Sequence, residues 1–229
     1  MTTKNFLFLI IIILCSCQSQ KQKGYKISTI DSSLQVKIDS MLQNRLSEFE
    51  ATSGQVIVME VQTGEIKASV GTELTPQESG LVRTASLLAA LETKAIQLSD
   101  TIDVGNGILT IRKDTLLDHN WYKGGYGKIT IQQGFGLSSN IANYKTAKHT
   151  FKDAQAFAKA LAKYGYQVKD TSLVYNPSGY GVFTTPLQNL TFYNAIAQGT
   201  ISDKAAVNDI KRALEYTVTD GLAKPAMSD

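Results

Sequence analysis

The chain has 229 residues, of which 43% are hydrophobic and 19% are charged, a balance typical of one globular domain with a sizeable core. Its 23 basic and 20 acidic residues leave a formal charge of only +3. This composition excludes a disordered or fibrous chain, and the small basic excess predicts no nucleic-acid partner.

The first element is a short apolar run that follows Lys4 and covers residues 6–14. The run is too short to span a bilayer and has the length of the core of a secretory signal. It leads into Leu-Cys-Ser-Cys at residues 14–17, which resembles the lipobox of bacterial lipoproteins. The resemblance implies that residues 1–16 are a signal peptide and that Cys17 carries the lipid.

A polar, lysine-containing segment follows, and we predict that residues 17–30 form a lipidated tether because they cannot bury enough apolar surface to fold alone. The protein is then expected in the cell envelope, anchored to a bacterial membrane and facing the periplasm. Cys15 would leave with the signal peptide, and the two histidines, His119 and His149, lack the spacing of a metal site. We therefore expect no disulfide, no metal and no cofactor.

The folded part is predicted to open with a helix that begins near Asp31, Ser32 or Ser33, any of which can cap it. Apolar residues recur after it at spacings of three and four, which indicates one buried stripe. These residues are Leu34, Ile38, Met41, Leu42, Leu46 and Phe49.

The next element is a predicted β-hairpin, in which residues 55–61 and 66–70 are rich in β-branched residues and a Gln-Thr-Gly-Glu turn joins them. Apolar periodicity then predicts helices over 84–94, 153–164 and 187–197, separated by loops rich in Gly, Asn and Pro at 105–107, 120–127 and 176–181. A helix, a hairpin and a mostly helical region make the fold class α+β.

Several segments resemble, in order and spacing, the transpeptidase domain of penicillin-binding proteins. They are the hairpin 54–66, Leu-Ala-Ala-Leu-Glu at 88–92, Asp-Thr-Ile-Asp at 100–103, Asp-His-Asn-Trp at 118–121, residues 125–130, Ser-Ser-Asn at 138–140, Gly-Tyr-Gly at 179–181 and Thr-Thr-Pro-Leu-Gln at 184–188. The resemblance covers roughly residues 34–223. It implies a transpeptidase-like, β-lactamase-like domain over 31–229.

The catalytic motif of that family, Ser-x-x-Lys, is replaced here. Counting back from residues 88–92, its serine position falls on Gly80 and its lysine position on Arg83. Gly80 offers no hydroxyl to acylate, and an arginine cannot lose its proton to serve as a base. No serine in the chain lies three residues before a lysine or an arginine. We therefore predict no catalytic residue.

The family's Lys-Thr-Gly motif is absent as well. The nearest string, residues 145–147, lies on a helical stretch and is interpreted as an exposed helix face. Because the sequence ends about where the family approaches this motif, we expect the C-terminal strands to be missing. The resemblance assigns substrate binding to Ser138 and Asn140, with packing at a helix start as an equal alternative for their presence.

The sequence thus predicts a catalytically inactive penicillin-binding-protein-like envelope lipoprotein that binds or scaffolds near peptidoglycan. Its expected partners are a stem peptide or β-lactam, the membrane through the lipid on Cys17, and a second copy or an envelope protein at the sheet edge. One alternative is an active D,D-transpeptidase or carboxypeptidase with a displaced nucleophile, Ser79 or Ser138. The other is a purely structural partner of an envelope protein, its cleft closed by Arg83.

Overall fold

The computed structural model describes residues 29–169 and 171–227. The predicted signal peptide, Cys17 and all of the predicted tether except Thr29 and Ile30 lie outside these residues. Thr29 is docked on the domain, since its hydroxyl donates to the carbonyl oxygen of Ile66 at 2.7 Å. Within these ranges no helix combines the length and the apolar character needed to cross a membrane.

Helices and short strands follow each other along the described chain. The helices are α1 (Ser32–Glu48), α2 (Val82–Glu92), α3 (Ile131–Gly136), α4 (Asn140–Thr150), α5 (Ala154–Ala162), α6 (Pro186–Gln198) and α7 (Lys204–Thr219). The strands are β1 (Gln55–Met59), β2 (Ile66–Gly71), β3 (Gln77–Glu78), β4 (Thr101–Gly105), β5 (Ile108–Ile111), β6 (Asp114–Leu117), β7 (Gly127–Thr130), β8 (Gln167–Val168) and β9 (Val182–Thr184).

The strands pair only antiparallel with one another, in small sheets. β1 and β2 form the predicted hairpin, β4 pairs with β7, β5 pairs with β6, and β9 lies between β3 and β8. The predicted α+β class and the order of helix, hairpin and helical region are confirmed. The short strands β4–β7 were not predicted, because four- and five-residue segments carry too little periodicity to be distinguished from loops.

Helix α1 begins at Ser32, and Asp31, one of the three predicted caps, is its N-cap: the Asp31 carboxylate accepts the backbone N–H of Leu34 at 3.0 Å. The helix packs on β2, and Leu42 is buried there. The predicted apolar stripe is too wide, however, since Met41 is 55% exposed and Phe49 is 71% exposed. A helix that covers only one hairpin buries a narrow face, and its flanks remain in solvent.

Helix α2 is the centre of the main core, as its Ala- and Leu-rich sequence predicts. Every residue from position 82 to position 91 is buried except Arg83. The helix packs against α4, α5 and α7, which contribute fully buried side chains such as Phe157 and Ile210. Burial of such side chains is worth roughly 1.5–3 kcal/mol each, so α2 is fixed firmly and its first turn places Arg83.

A second, smaller core joins the strand region to α4. Val104 of β4, Leu116 of β6 and Ile129 of β7 pack with Ile141 at the start of α4. This contact brings the end of β6 and the residue after it, Asp118, against the loop that precedes α4.

Candidate functional site

The site lies where the turn before α2 meets the loop before α4. Gly80 is exposed and stands two residues before the first residue of α2. The turn at Gly179 packs directly on it, since a Cβ atom on Gly179 would lie 2.2 Å from the carbonyl oxygen of Ser79. Gly179 has φ +100°, which favours glycine, so this close backbone approach depends on the residue type.

Arg83 is the side chain that joins the two segments. Its guanidinium donates one hydrogen bond to the carbonyl oxygen of Ser138 at 2.9 Å and another to Oδ1 of Asn140 at 2.8 Å. Burial lowers the pKa of Arg83, whereas the nearby Tyr180 and Asp118 side chains raise it. An arginine keeps its charge throughout the physiological pH range, so both bonds are charge-assisted.

The amide of Asn140 is engaged at both ends. Its Oδ1 accepts from Arg83, and its Nδ2 donates to the carbonyl oxygen of Leu117 at 2.8 Å. Ser138, two residues before it, has φ +54°, an unusual backbone conformation for a serine. The carbonyl oxygen of Ser138 is directed at Arg83 in this conformation.

Asp118 holds the same loop through hydrogen bonds to its carboxylate. Its fully buried carboxylate accepts the hydroxyl of Ser139 at 2.7 Å and the backbone N–H of Ile141 at 3.1 Å. Ser139 is also the N-cap of α4, because its Oγ accepts the N–H of Ala142 at 3.0 Å. The start of α4 is therefore braced at the end of β6, and the packing role considered for this loop has a structural basis.

The chemistry available at these residues is that of recognition. Gly80 presents no nucleophile, Arg83 only donates hydrogen bonds, and Asn140 uses one N–H and its Oδ1 for bonds inside the protein. The amide also has a second N–H and a second acceptor position on Oδ1, which a ligand can use.

Ser79, which was considered as a displaced nucleophile beside Gly80, makes a hydrogen bond to the backbone of the turn. The hydroxyl of Ser79 accepts the backbone N–H of Leu81 at 3.2 Å. In the described part of the chain no lysine or histidine bonds to that hydroxyl, and the two bonds of Arg83 go to the other side of the cleft. Activation of a serine requires such a base within hydrogen-bond reach.

The remaining sequence candidates have other contacts. His119 contacts the hydroxyl of Tyr126 through Nε2 at 2.9 Å. The string 145–147 lies on α4, and its interpretation as an exposed face is wrong, because Thr146 and Ala147 are buried against α2. Among residues 29–169 and 171–227 no cluster of three metal-ligating side chains is found.

Two residues of the site were missed at the sequence level. Asp118 was noted only as part of a motif, and an aspartate that directly follows two leucines is a weak signal that could have pointed to it. Gly179 was noted as part of Gly-Tyr-Gly. Its contact with Ser79 joins residues far apart in the chain, which no local pattern reveals.

Comparison with protein-family models identifies one family. A family model described as the penicillin binding protein transpeptidase domain matches residues 54–228. No curated protein matches the sequence.

Solved structures show the same fold. A crystal structure of a peptidoglycan glycosyltransferase from Burkholderia ambifaria superposes with a TM-score of 0.76 at 19% identity, covering 86% of this chain and 76% of that one. The TP domain of penicillin-binding protein 3 from Burkholderia pseudomallei gives a TM-score of 0.75 at 19% identity, covering 86% and 72%. At this identity the likeness concerns the fold alone.

Proposed function

We propose that this chain, which belongs to the penicillin binding protein transpeptidase domain family, is a non-catalytic envelope protein that binds or scaffolds near peptidoglycan. The observation that supports this function is the position of Arg83. The residue stands one turn after Gly80 and bonds to Ser138 and Asn140, the loop that resembles the family's Ser-x-Asn motif.

With Gly80 in place of the motif's serine, the atom that would be acylated is missing. With Arg83 in place of the motif's lysine, the base is missing as well. The space beside the Ser-x-Asn loop is filled instead by a larger, permanently charged group. Each exchange alone is enough to prevent an acyl-enzyme, because the nucleophile and its base act as a unit.

The proposed place of action is the cell envelope, where domains of this family work. A lipid on Cys17 and the polar residues 18–28 would hold the domain close to the membrane surface. In that position a domain with this fold meets peptidoglycan stem peptides, which we propose as its ligand class together with β-lactams bound without a covalent bond.

A purely structural role is the second candidate, and one observation favours it. The guanidinium of Arg83 bonds to both Ser138 and Asn140 and so bridges the two sides of the cleft. Titration with a stem-peptide mimic separates the two roles, because saturable binding that changes on Asn140→Ala supports the binding module, whereas the absence of binding supports the structural partner.

The decisive experiment is intact-mass measurement after incubation with a labelled β-lactam, beside an active penicillin-binding protein as the positive control. We expect no mass increase. An adduct of one drug mass would overturn the proposal, and the matched variants Ser79→Ala and Ser138→Ala would then identify the displaced nucleophile.

A further inference from the structure

A cavity of about 420 Å³ lies between β4 and α4 and shares no residue with the cluster around Arg83. Its apolar lining consists of Ile96, Ile102 and Ile131, of which Ile96 and Ile131 belong to the buried main core. Its polar lining consists of Asp100, Thr101, Asp103, Lys145, Thr146 and His149. A concave site of this size, partly apolar and with a few polar groups, suits a small organic molecule.

The charged side chains of this cavity come from two elements. Asp100 and Asp103 lie just before and within β4, whereas Lys145 and His149 stand four residues apart on one face of α4. In the part of the chain that the structure describes, none of these four side chains forms an ion pair. Two carboxylates and an ammonium group therefore line one cavity without neutralising each other.

Hydrogen bonds to the backbone hold these three charged groups in place. The carboxylate of Asp100 accepts the N–H of Gln97 at 2.7 Å, and that of Asp103 accepts the N–H of Gly105 at 2.8 Å. The ammonium group of Lys145 donates to the carbonyl oxygen of Asp103 at 2.5 Å. Each carboxylate keeps further acceptor positions and the ammonium group keeps two N–H donors, so the three groups are positioned and still able to bind a ligand.

Thr146 gives a separate indication of a ligand at this cavity. The residue is only 7% exposed, yet its hydroxyl forms no hydrogen bond with any residue that the structure describes. Buried hydroxyl groups are nearly always paired. The imidazole of His149 likewise has no hydrogen-bond partner within residues 29–169 and 171–227. Two polar groups of the cavity wall are thus not used by the fold itself.

We propose that this cavity binds a free amino acid with an apolar side chain, in its zwitterionic form. The ammonium group of the ligand pairs with Asp100 and Asp103, and its carboxylate pairs with Lys145 and with a ring N–H of His149. The apolar side chain packs against the three isoleucines. A simple anion would meet the two carboxylates and a simple cation would meet Lys145, so a molecule that carries both charges fits best. The site is independent of the chemistry at Arg83 and of the function proposed above.

The test is isothermal titration calorimetry of the full chain with leucine, whose side chain matches the apolar lining. We expect saturable binding. N-acetylleucine lacks the ammonium group and leucinamide lacks the carboxylate, so each should bind about tenfold more weakly than leucine, the usual effect of a lost bond to a charged group. Absence of saturable leucine binding, or equal binding by either analogue, would overturn the proposal.

Two variants assign the charges of the ligand to the two walls. Asp103→Asn keeps an oxygen for the N–H of Gly105 but removes the charge, so it should weaken leucine binding about tenfold and reduce the preference over N-acetylleucine. Lys145→Met keeps an unbranched side chain and should reduce the preference over leucinamide in the same way. Lys148→Met, on the same helix but outside the cavity, is the matched control and should leave the affinity unchanged. Thermal unfolding verifies that each variant is folded, and a preference for leucine that neither variant reduces would refute the site.

Discussion

Arg83 and Asn140 lie 57 positions apart in the chain and are joined by a charge-assisted hydrogen bond of 2.8 Å. Together with the bond from Arg83 to the carbonyl oxygen of Ser138, this contact fixes the first turn of α2 to the loop before α4. Arg83 therefore serves as a clamp between two elements.

The first prediction concerns the stability that this clamp supplies. Arg83→Ala leaves the Ser138 carbonyl and the Asn140 amide without their partner in a half-buried place. We expect the free energy of unfolding to fall by about 1.5–3 kcal/mol, the usual range for a lost bond to a charged group. Urea denaturation measures the change.

Arg45→Ala is the matched control, because Arg45 also bonds to a neighbouring side chain, Glu48, but does so in solvent. Exposed pairs of this kind contribute no more than about 1 kcal/mol. Equal losses for the two arginine variants would contradict the role of Arg83 as a clamp.

The sequence predicted the elements whose pattern is local. α2 was recognised because ten successive positions are mostly Ala and Leu, and the hairpin because β-branched residues flank a Thr-Gly turn. The same reasoning failed for Met41 and Phe49, since periodicity shows which residues share a face and not how wide a surface will cover that face.

The assignment of Gly80 and Arg83 to the serine and lysine positions of the family motif stays a prediction, and the contacts of Arg83 were not predicted at all. The bonds of Arg83, the brace at Asp118 and the bond of Gln35 to Ser69 all join residues more than 20 positions apart. Contacts of that range depend on how the two cores bring elements together, which no short window of sequence contains.

A second prediction concerns the anchor, which lies outside the described residues. Cys17→Ala removes the thiol at the position where the lipobox-like sequence predicts acylation, and a protein without acyl chains has no apolar anchor after processing. We expect the variant to accumulate unprocessed or to appear in the soluble fraction. Fractionation with detergent extraction decides it, and Cys15→Ala, which should stay membrane-bound, is the control.

A third prediction concerns acid stability at the start of α7. Asp203 caps this helix, and the backbone N–H of Ala206, followed by that of Ala205 and the charge of Lys94, lowers the pKa of Asp203 below its ordinary value of 3.8. A carboxyl with a lower pKa in the folded state stabilises the fold above the unfolded pKa. That stability is lost as the pH falls from about 4 through the folded pKa.

Asn is as good an N-cap as Asp but does not titrate. Asp203→Asn should therefore unfold almost as the parent does at pH 7 and lose less stability between about pH 4 and pH 2. Chemical denaturation at several pH values measures the slope. The control is Asp39→Asn on the exposed face of α1. If Asp203→Asn changes the pH dependence of the free energy of unfolding no more than this control does, the Asp203 cap does not stabilise the fold in this way.

The last prediction tests the close approach that positions Gly80. Gly179 and Gly165 both have positive φ, +100° and +82°, so alanine is strained at either position. Only at Gly179 would the new Cβ meet a backbone atom, the carbonyl oxygen of Ser79 at 2.2 Å, since nothing lies within 4 Å at Gly165. Gly165→Ala should cost about 1 kcal/mol from conformation alone. Gly179→Ala should cost about 3 kcal/mol or more, because the turn that carries Gly80 must also shift. Equal costs in urea denaturation would mean that the turn yields freely, and that Gly80 and Arg83 are placed by α2 alone.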